Sequence, residues 1–123
     1  MTLFGVGSDL VEVEQMRVAL DRRPGLRERL FTAAEWDYAQ RHRDPMPHLA
    51  ARFAAKEAVM KSLGVGLGAV SFTDIEVVRA DSGKPSVALA GRAATLAAAA
   101  GVSRFELSLT HTASMAHALV AAL

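Results

Sequence analysis

Hydrophobic and polar positions alternate at the start of the chain and then change period. Over residues 3–11, LFGVGSDLV, Phe4, Val6, Ser8 and Leu10 fall on one face and Gly5, Gly7, Asp9 and Val11 on the other, the two-residue repeat of a strand. Asp9 therefore shares its face with two residues that have no side chain. Residues 14–30 read as helical with a break at Pro24-Gly25. Residues 32–42 read as a helix opened by Thr32 with Glu35 three positions on, a capping-box signature. Pro45 and Pro47 separate it from a longer helix over about 48–63, closed by Gly64. After a loop carrying Gly64, Gly66 and Gly68 the period returns to two. Residues 74–79 predict a strand, 81–85 a turn and 86–89 the returning strand of a hairpin. Residues 91–100 predict a helix ended by Gly101, and residues 105–110 and 116–123 two closing strands. Helices grouped early and hairpin strands later predict an α+β fold, with helices packed on a mainly antiparallel sheet.

A chain of 123 residues suits one domain spanning residues 1–123. A formal charge of +1 gives no general attraction to a polyanion, so any electrostatic signal is local. With no cysteine, disulfides and thiolate chemistry are excluded, which fits a reducing compartment. The first residues lack the basic and long apolar regions of a signal peptide. The most apolar stretch, VALAGRAATLAAAAGV, is broken by Arg92 and two glycines and does not read as a membrane span. These features predict a cytoplasmic protein that engages no membrane.

Candidate chemistry begins in the 48–63 helix. At ~100° per residue Ala50, Ala54, Glu57 and Lys61 share one narrow sector, where the small alanines are expected to leave Glu57 and Lys61 open. Leu49, Phe53, Val59, Met60 and Leu63 form the apolar face. As an isolated i,i+4 pair, Glu57 and Lys61 would be a solvated surface feature worth about 0.2–0.5 kcal/mol. Asp9 offers a second carboxylate on a strand face that a ligand can approach closely. Two carboxylates and a lysine suit Mg²⁺ and phosphate, because Mg²⁺ takes one or two protein carboxylates and completes its shell with water and phosphate oxygens. The alternative for Asp9 is a cap on the helix that follows. Two other motifs fail on context. In SGKP a proline follows the lysine and the phosphate-loop spacing is absent. Residues 64–68 follow a helix instead of opening one after a strand. Residues 14–30 carry Arg17, Arg22, Arg23, Arg27 and Arg29 among Glu14, Asp21 and Glu28 without interleaved aromatics, which argues against a nucleic-acid surface.

GVGSDLVEVEQMR, RFAAKEAVMKSLGVG, the GKP turn and SLTHT, in that order over nearly the whole chain, resemble the holo-acyl-carrier-protein synthase family, the small phosphopantetheinyl transferases. The resemblance implies the phosphopantetheinyl transferase-like fold and a Mg²⁺-dependent transfer of phosphopantetheine from coenzyme A to a serine of apo-acyl carrier protein. Adenosine bisphosphate is released, and the reaction supports fatty acid or polyketide biosynthesis. It also implies a homotrimer with sites at subunit boundaries. On the matching motifs Asp9 and Glu57 become metal ligands and Lys61 a phosphate contact. Arg52, Lys61, Thr110 and His111 line the substrate, and Glu57, Lys61 and His111 are the catalytic group. The general base stays open between Glu57, a metal-bound water and His111, since Thr112 stands where some members carry an acidic residue. Arg17, Arg22, Arg23 and Arg27 resemble the basic helix that the family presents to its acidic carrier.

Arg52 and Lys56 lie about half a turn from Lys61. In a trimer the two faces can serve different clefts; otherwise Arg52 and Lys56 form solvated or inter-subunit ion pairs. A nucleotide pyrophosphatase using water at the same metal site, and a non-catalytic module docking acidic proteins, are the two rival functions.

Overall fold

A computed structural model describes residues 2–123 of the chain. Strand β1 (Gly5–Glu12) leads into helices α1 (Val13–Arg22), α2 (Leu26–Leu30), α3 (Ala33–Gln40) and α4 (Met46–Ser62). A 3₁₀ turn at Phe72–Asp74 precedes the hairpin β2 (Ile75–Arg79) and β3 (Pro85–Leu89), followed by α5 (Gly91–Ala99), β4 (Phe105–His111) and β5 (Met115–Ala122). The strands form a sheet ordered β1-β5-β4 and a separate β2-β3 hairpin, with every pairing antiparallel. This is the α+β architecture that the patterning predicts.

The first sheet and α4 make the core. Gly5 and Gly7 face the helix, and a Cβ on Gly7 would fall inside contact distance of the Ala58 carbonyl oxygen, as one on Gly5 would with Ser62. Bare backbone on β1 thus lets α4 lie against the strand. The facing residues of β5, Ala116, Ala118, Val120 and Ala122, are fully buried with Ala54, Ala55, Ala58 and Val59 of α4. Small side chains on both surfaces bring two rigid elements to close range, where dispersion contacts are most numerous.

This packing corrects the expected role of the alanine stripe. Ala50 and Ala54 are buried completely, so they seat α4 on its neighbours and do not leave an open face. Pro45 and Pro47 belong to the helix start, one as N-cap and one within the first turn, where the missing N–H goes unneeded.

A second correction concerns Lys56. Its ammonium is fully buried, donating to Glu35 Oε1 (2.6 Å), the Leu30 carbonyl (2.7 Å) and the Phe72 carbonyl (3.1 Å). Glu35 in turn accepts from Thr32 N at 2.9 Å, completing the predicted capping box, and from Val77 N at 2.8 Å. The pair is neither solvated nor reserved for a neighbour: it ties α4 to α3, β2 and the ends of α2 and the 3₁₀ turn. Burial pulls the Lys56 ammonium below its ordinary range, and the Glu35 charge opposes that shift.

The opposite face of the three-stranded sheet is uncovered. Val6 and Leu10 on β1 and Leu119 on β5 are 54%, 61% and 47% exposed there, around a hydrogen bond of 2.9 Å between Ser8 Oγ and His117 Nε2.

Candidate functional site

Asp9 lies on the helix-facing side of β1, two residues beyond Gly7, and its side chain is only 15% exposed. Where the glycines end, the first real side chain on this face meets the flank of α4. Lys61 Nζ donates to Asp9 Oδ1 at 3.2 Å and to the Ser8 carbonyl at 2.9 Å, spanning from the last turn of α4 to the strand. The helix N-cap reading of Asp9 falls away: Glu12 occupies that position, without a side-chain cap.

Glu57, one turn before Lys61, is half-buried beside this pair. Burial raises its carboxyl above the ordinary glutamate range, the Asp9 charge raises it further, and Lys61 opposes both. Two carboxylates held close, with one lysine that pairs with Asp9, form an electrostatically incomplete group. The set fits a hard divalent cation, which binds oxygen ligands and needs only one or two protein carboxylates.

Glu57 also stands between two cavities. One, about 390 Å³, is walled by Met16, Leu26, Leu30, Phe53, Leu67 and Phe72 under α1 and α2, with Arg23 and Arg29 at its rim. The other, about 210 Å³, is closed by Lys61 and the loop Val65, Gly66 and Leu67. The apolar wall was not legible beforehand, because it joins residues from β1, α1, α2, α4 and the 3₁₀ turn.

The remaining expected site residues lie apart from this group. His111 ends β4 on the helix-facing side, whereas Thr110 points to the uncovered face, opposite His117. Arg52, 2% exposed, sits on the other flank of α4, its guanidinium 4.2 Å from the Tyr38 ring centre. Around it gather His48, whose ring is 4.9 Å from that of His111, and His42, stacked on His48 at 3.6 Å. Arg79 completes the group, 5.5 Å from the Tyr38 ring. His48 and Arg52, four apart on one helix, carried a signal for this cluster; Tyr38, His42 and Arg79 reach it only through the fold.

Of the arginines in the first helices, Arg17 is held by Asp44 (2.9 and 3.3 Å) and Glu14 (3.1 Å). Arg27 stacks over Trp36 at 4.1 Å. Arg22 and Arg23 line an open groove of about 540 Å³ with Gln15, Val18 and Ala19.

Fold and site together define an α+β protein with a paired-carboxylate and lysine centre beside a mainly apolar cleft. A sequence profile of the 4'-phosphopantetheinyl transferase superfamily matches residues 5–120, and the chain belongs to that family. Over 122 residues it is 44% identical to a holo-[acyl-carrier-protein] synthase of Streptomyces avermitilis, covering 99% of this chain and 98% of that one. Among solved structures it resembles the holo-[acyl-carrier-protein] synthase of Neisseria meningitidis (TM-score 0.88, 31% identity, 99% of each chain). It also resembles that of Bacillus anthracis in complex with CoA (3',5'-ADP) (TM-score 0.81, 32% identity, 99% of this chain and 97% of that one). Among the described residues no helix is long and apolar enough to cross a membrane.

Proposed function

We infer that this protein is a holo-acyl-carrier-protein synthase, moving phosphopantetheine from coenzyme A to a serine hydroxyl of an apo-acyl carrier protein. The observation that carries the reading is the convergence of Asp9, Glu57 and Lys61 at one point of β1 and α4 in a chain of this family. In the transfer, the serine oxygen bonds to the phosphorus that bears pantetheine. The bond from that phosphorus to the bridging oxygen breaks, and adenosine 3',5'-bisphosphate leaves.

Asp9 and Glu57 would hold Mg²⁺, which when bound neutralises the diphosphate and polarises its oxygens. Lys61 offsets charge on the leaving phosphate, swinging from Asp9 as the ligand arrives. Within this group Glu57 would take the serine proton; His111 lies across α4 from it within one chain and would serve as the base only from a neighbouring copy. The apolar cleft beside Glu57 receives a nonpolar portion of the carrier or of the pantetheine arm. Arg22 and Arg23 at the α1 groove, with Arg17 and Arg27 after release from their present partners, meet the acidic carrier.

Arg52 and His111 serve the nucleotide, yet they stand on the flank of α4 opposite Glu57 and Lys61. One ligand reaches both groups if neighbouring copies share a site, and the uncovered apolar face of β1 and β5 supplies a surface for such copies. A cytoplasmic homotrimer serving fatty acid or polyketide synthesis fits this arrangement.

Incubation with coenzyme A, Mg²⁺ and apo-carrier, followed by mass spectrometry of the carrier, tests the reading. A carrier heavier by one phosphopantetheine is the expected product. Coenzyme A cleaved with the carrier unchanged would indicate a pyrophosphatase instead, and neither change would leave only a docking module.

A further inference from the structure

We infer that the stacked pair His42 and His48 makes anion binding at Arg52 and His111 proton-coupled, so that a phosphate monoester entering this cluster draws a proton onto the stack. The inference rests on the nucleotide reading above for the identity of the ester; the phosphate chemistry stands on the cluster itself.

Four cationic or titratable side chains from three elements converge with Tyr38 of α3 and His42 of the α3–α4 connection: His48 and Arg52 from α4, Arg79 from β2 and His111 from β4. The carboxylates nearest to them are already engaged. Glu35 is held by Lys56, Thr32 N and Val77 N, and Asp44 is held by Arg17. Arg52 donates one long bond of 3.4 Å to the His48 carbonyl, while its buried Nε has no partner among the described residues. A buried guanidinium with an unused donor and no carboxylate of its own awaits an acceptor. Phosphate oxygens match that fork, and a dianion matches the surplus of positive charge.

The stack supplies the coupling. His42 and His48 lie with ring centres 3.6 Å apart and planes 22° from parallel, with His42 Nδ1 3.4 Å from the Ala39 carbonyl. Two imidazolium ions at that separation repel, and Arg52, Arg79 and His111 add to the repulsion. Desolvation first, then His42, His111 and the arginines, lower His48 to about 4. An anion among these groups offsets the like-charge part of that depression, from His42, His111 and the arginines, and so favours the protonated ring. A histidine whose bound-state pKa exceeds its free value strengthens binding fully below the free pKa. That gain is lost as pH rises through the bound pKa.

The chain holds four histidines, three in this cluster and His117 on the uncovered sheet face. Imidazole NMR of the intact protein, titrated from acid to neutral pH with and without saturating adenosine 3',5'-bisphosphate, reads all four. A parallel titration with inorganic phosphate separates the phosphate chemistry from adenosine recognition. With either ligand, His48 is expected to rise by at least one pH unit from about 4. A one-unit rise is worth about tenfold in affinity. Response to the nucleotide with none to phosphate would overturn the assignment to phosphate chemistry, as would four unmoved histidines in the presence of either ligand. Calorimetry in two buffers should show proton uptake on nucleotide binding, and H42Q/H48Q should lose it; equal uptake in a folded double variant would also overturn the coupling. If the histidines respond while the carrier is never modified, the transferase reading fails and the proton-coupled anion site stands.

Discussion

The two flanks of α4 carry opposite electrostatics from one stretch of sequence. On the β1 side Glu57 crowds Asp9, and Lys61 is the cation paired there, a site short of positive charge. On the far side Arg52 and His48 meet Arg79, His42 and His111, a site short of negative charge. Neither is complete in itself: two crowded carboxylates sharing one lysine and a buried guanidinium with an unused Nε donor both cost free energy. Between them Lys56 and Glu35 show what completed pairing looks like, with every ammonium proton used and both carboxylate oxygens occupied. The difference between satisfied and unsatisfied charge separates the residues that hold the fold from those awaiting ligands.

The largest expected effect lies at the satisfied pair. Lys56→Met leaves Glu35 buried without its cation and should lower unfolding free energy by about 3–5 kcal/mol in denaturant titration. A loss below ~1 kcal/mol would place the pair outside the framework. Replacing Glu35 and Lys56 together by apolar residues of similar size should recover part of that loss.

On the carboxylate flank the loss should fall on turnover. Asp9→Asn or Glu57→Gln should lower the transfer rate by roughly 10²-fold or more, about 2.7–4 kcal/mol of barrier, with the thermal midpoint nearly unchanged. Raising Mg²⁺ should restore part of the rate in each. Turnover at the unaltered rate with an unaltered Mg²⁺ titration would return Glu57 and Lys61 to the role of a surface pair.

The cationic flank should show itself through pH. Because His48 is depressed in the folded chain, the unfolded chain binds the extra proton, and stability falls as pH drops from about 6.5 toward 4. His48→Gln should flatten that slope relative to the parent in matched thermal melts; parallel curves would remove His48 as its source.

Smaller still should be the effect at α1. Arg22→Glu with Arg23→Glu should raise the carrier KM several-fold at low salt, and the difference should shrink as salt screens it. A carrier KM that did not move would end the docking role of this groove.

Much of this contrast was legible before the fold was known, and the rest was not for identifiable reasons. Strand alternation placed Asp9 beside glycines, and motif order brought Asp9, Glu57 and Lys61 together. The Thr32 and Glu35 spacing gave the capping box as observed. A helical wheel, however, records direction and not what lies there. It separated Lys56 and Arg52 from Lys61 correctly, but Lys56 meets Glu35 across 21 residues, a partner that only tertiary packing supplies. The alanine stripe misled for the same reason, since small residues mark either an open face or a very close contact. Here Gly5 and Gly7 on β1 made it the latter. Arg79 and His111 join His48 from strands far along the chain, beyond the reach of local periodicity.

The central claim is that the two flanks act on one ligand from neighbouring chains, and complementation tests it directly. Glu57→Gln and Arg52→Gln proteins, each folded and each nearly inactive alone, would be unfolded together, refolded as mixed assemblies and assayed for carrier modification. Shared sites predict recovered activity, with about a quarter of the sites intact at equal mixing. Mixed assemblies no more active than the two variants measured separately would contradict the account.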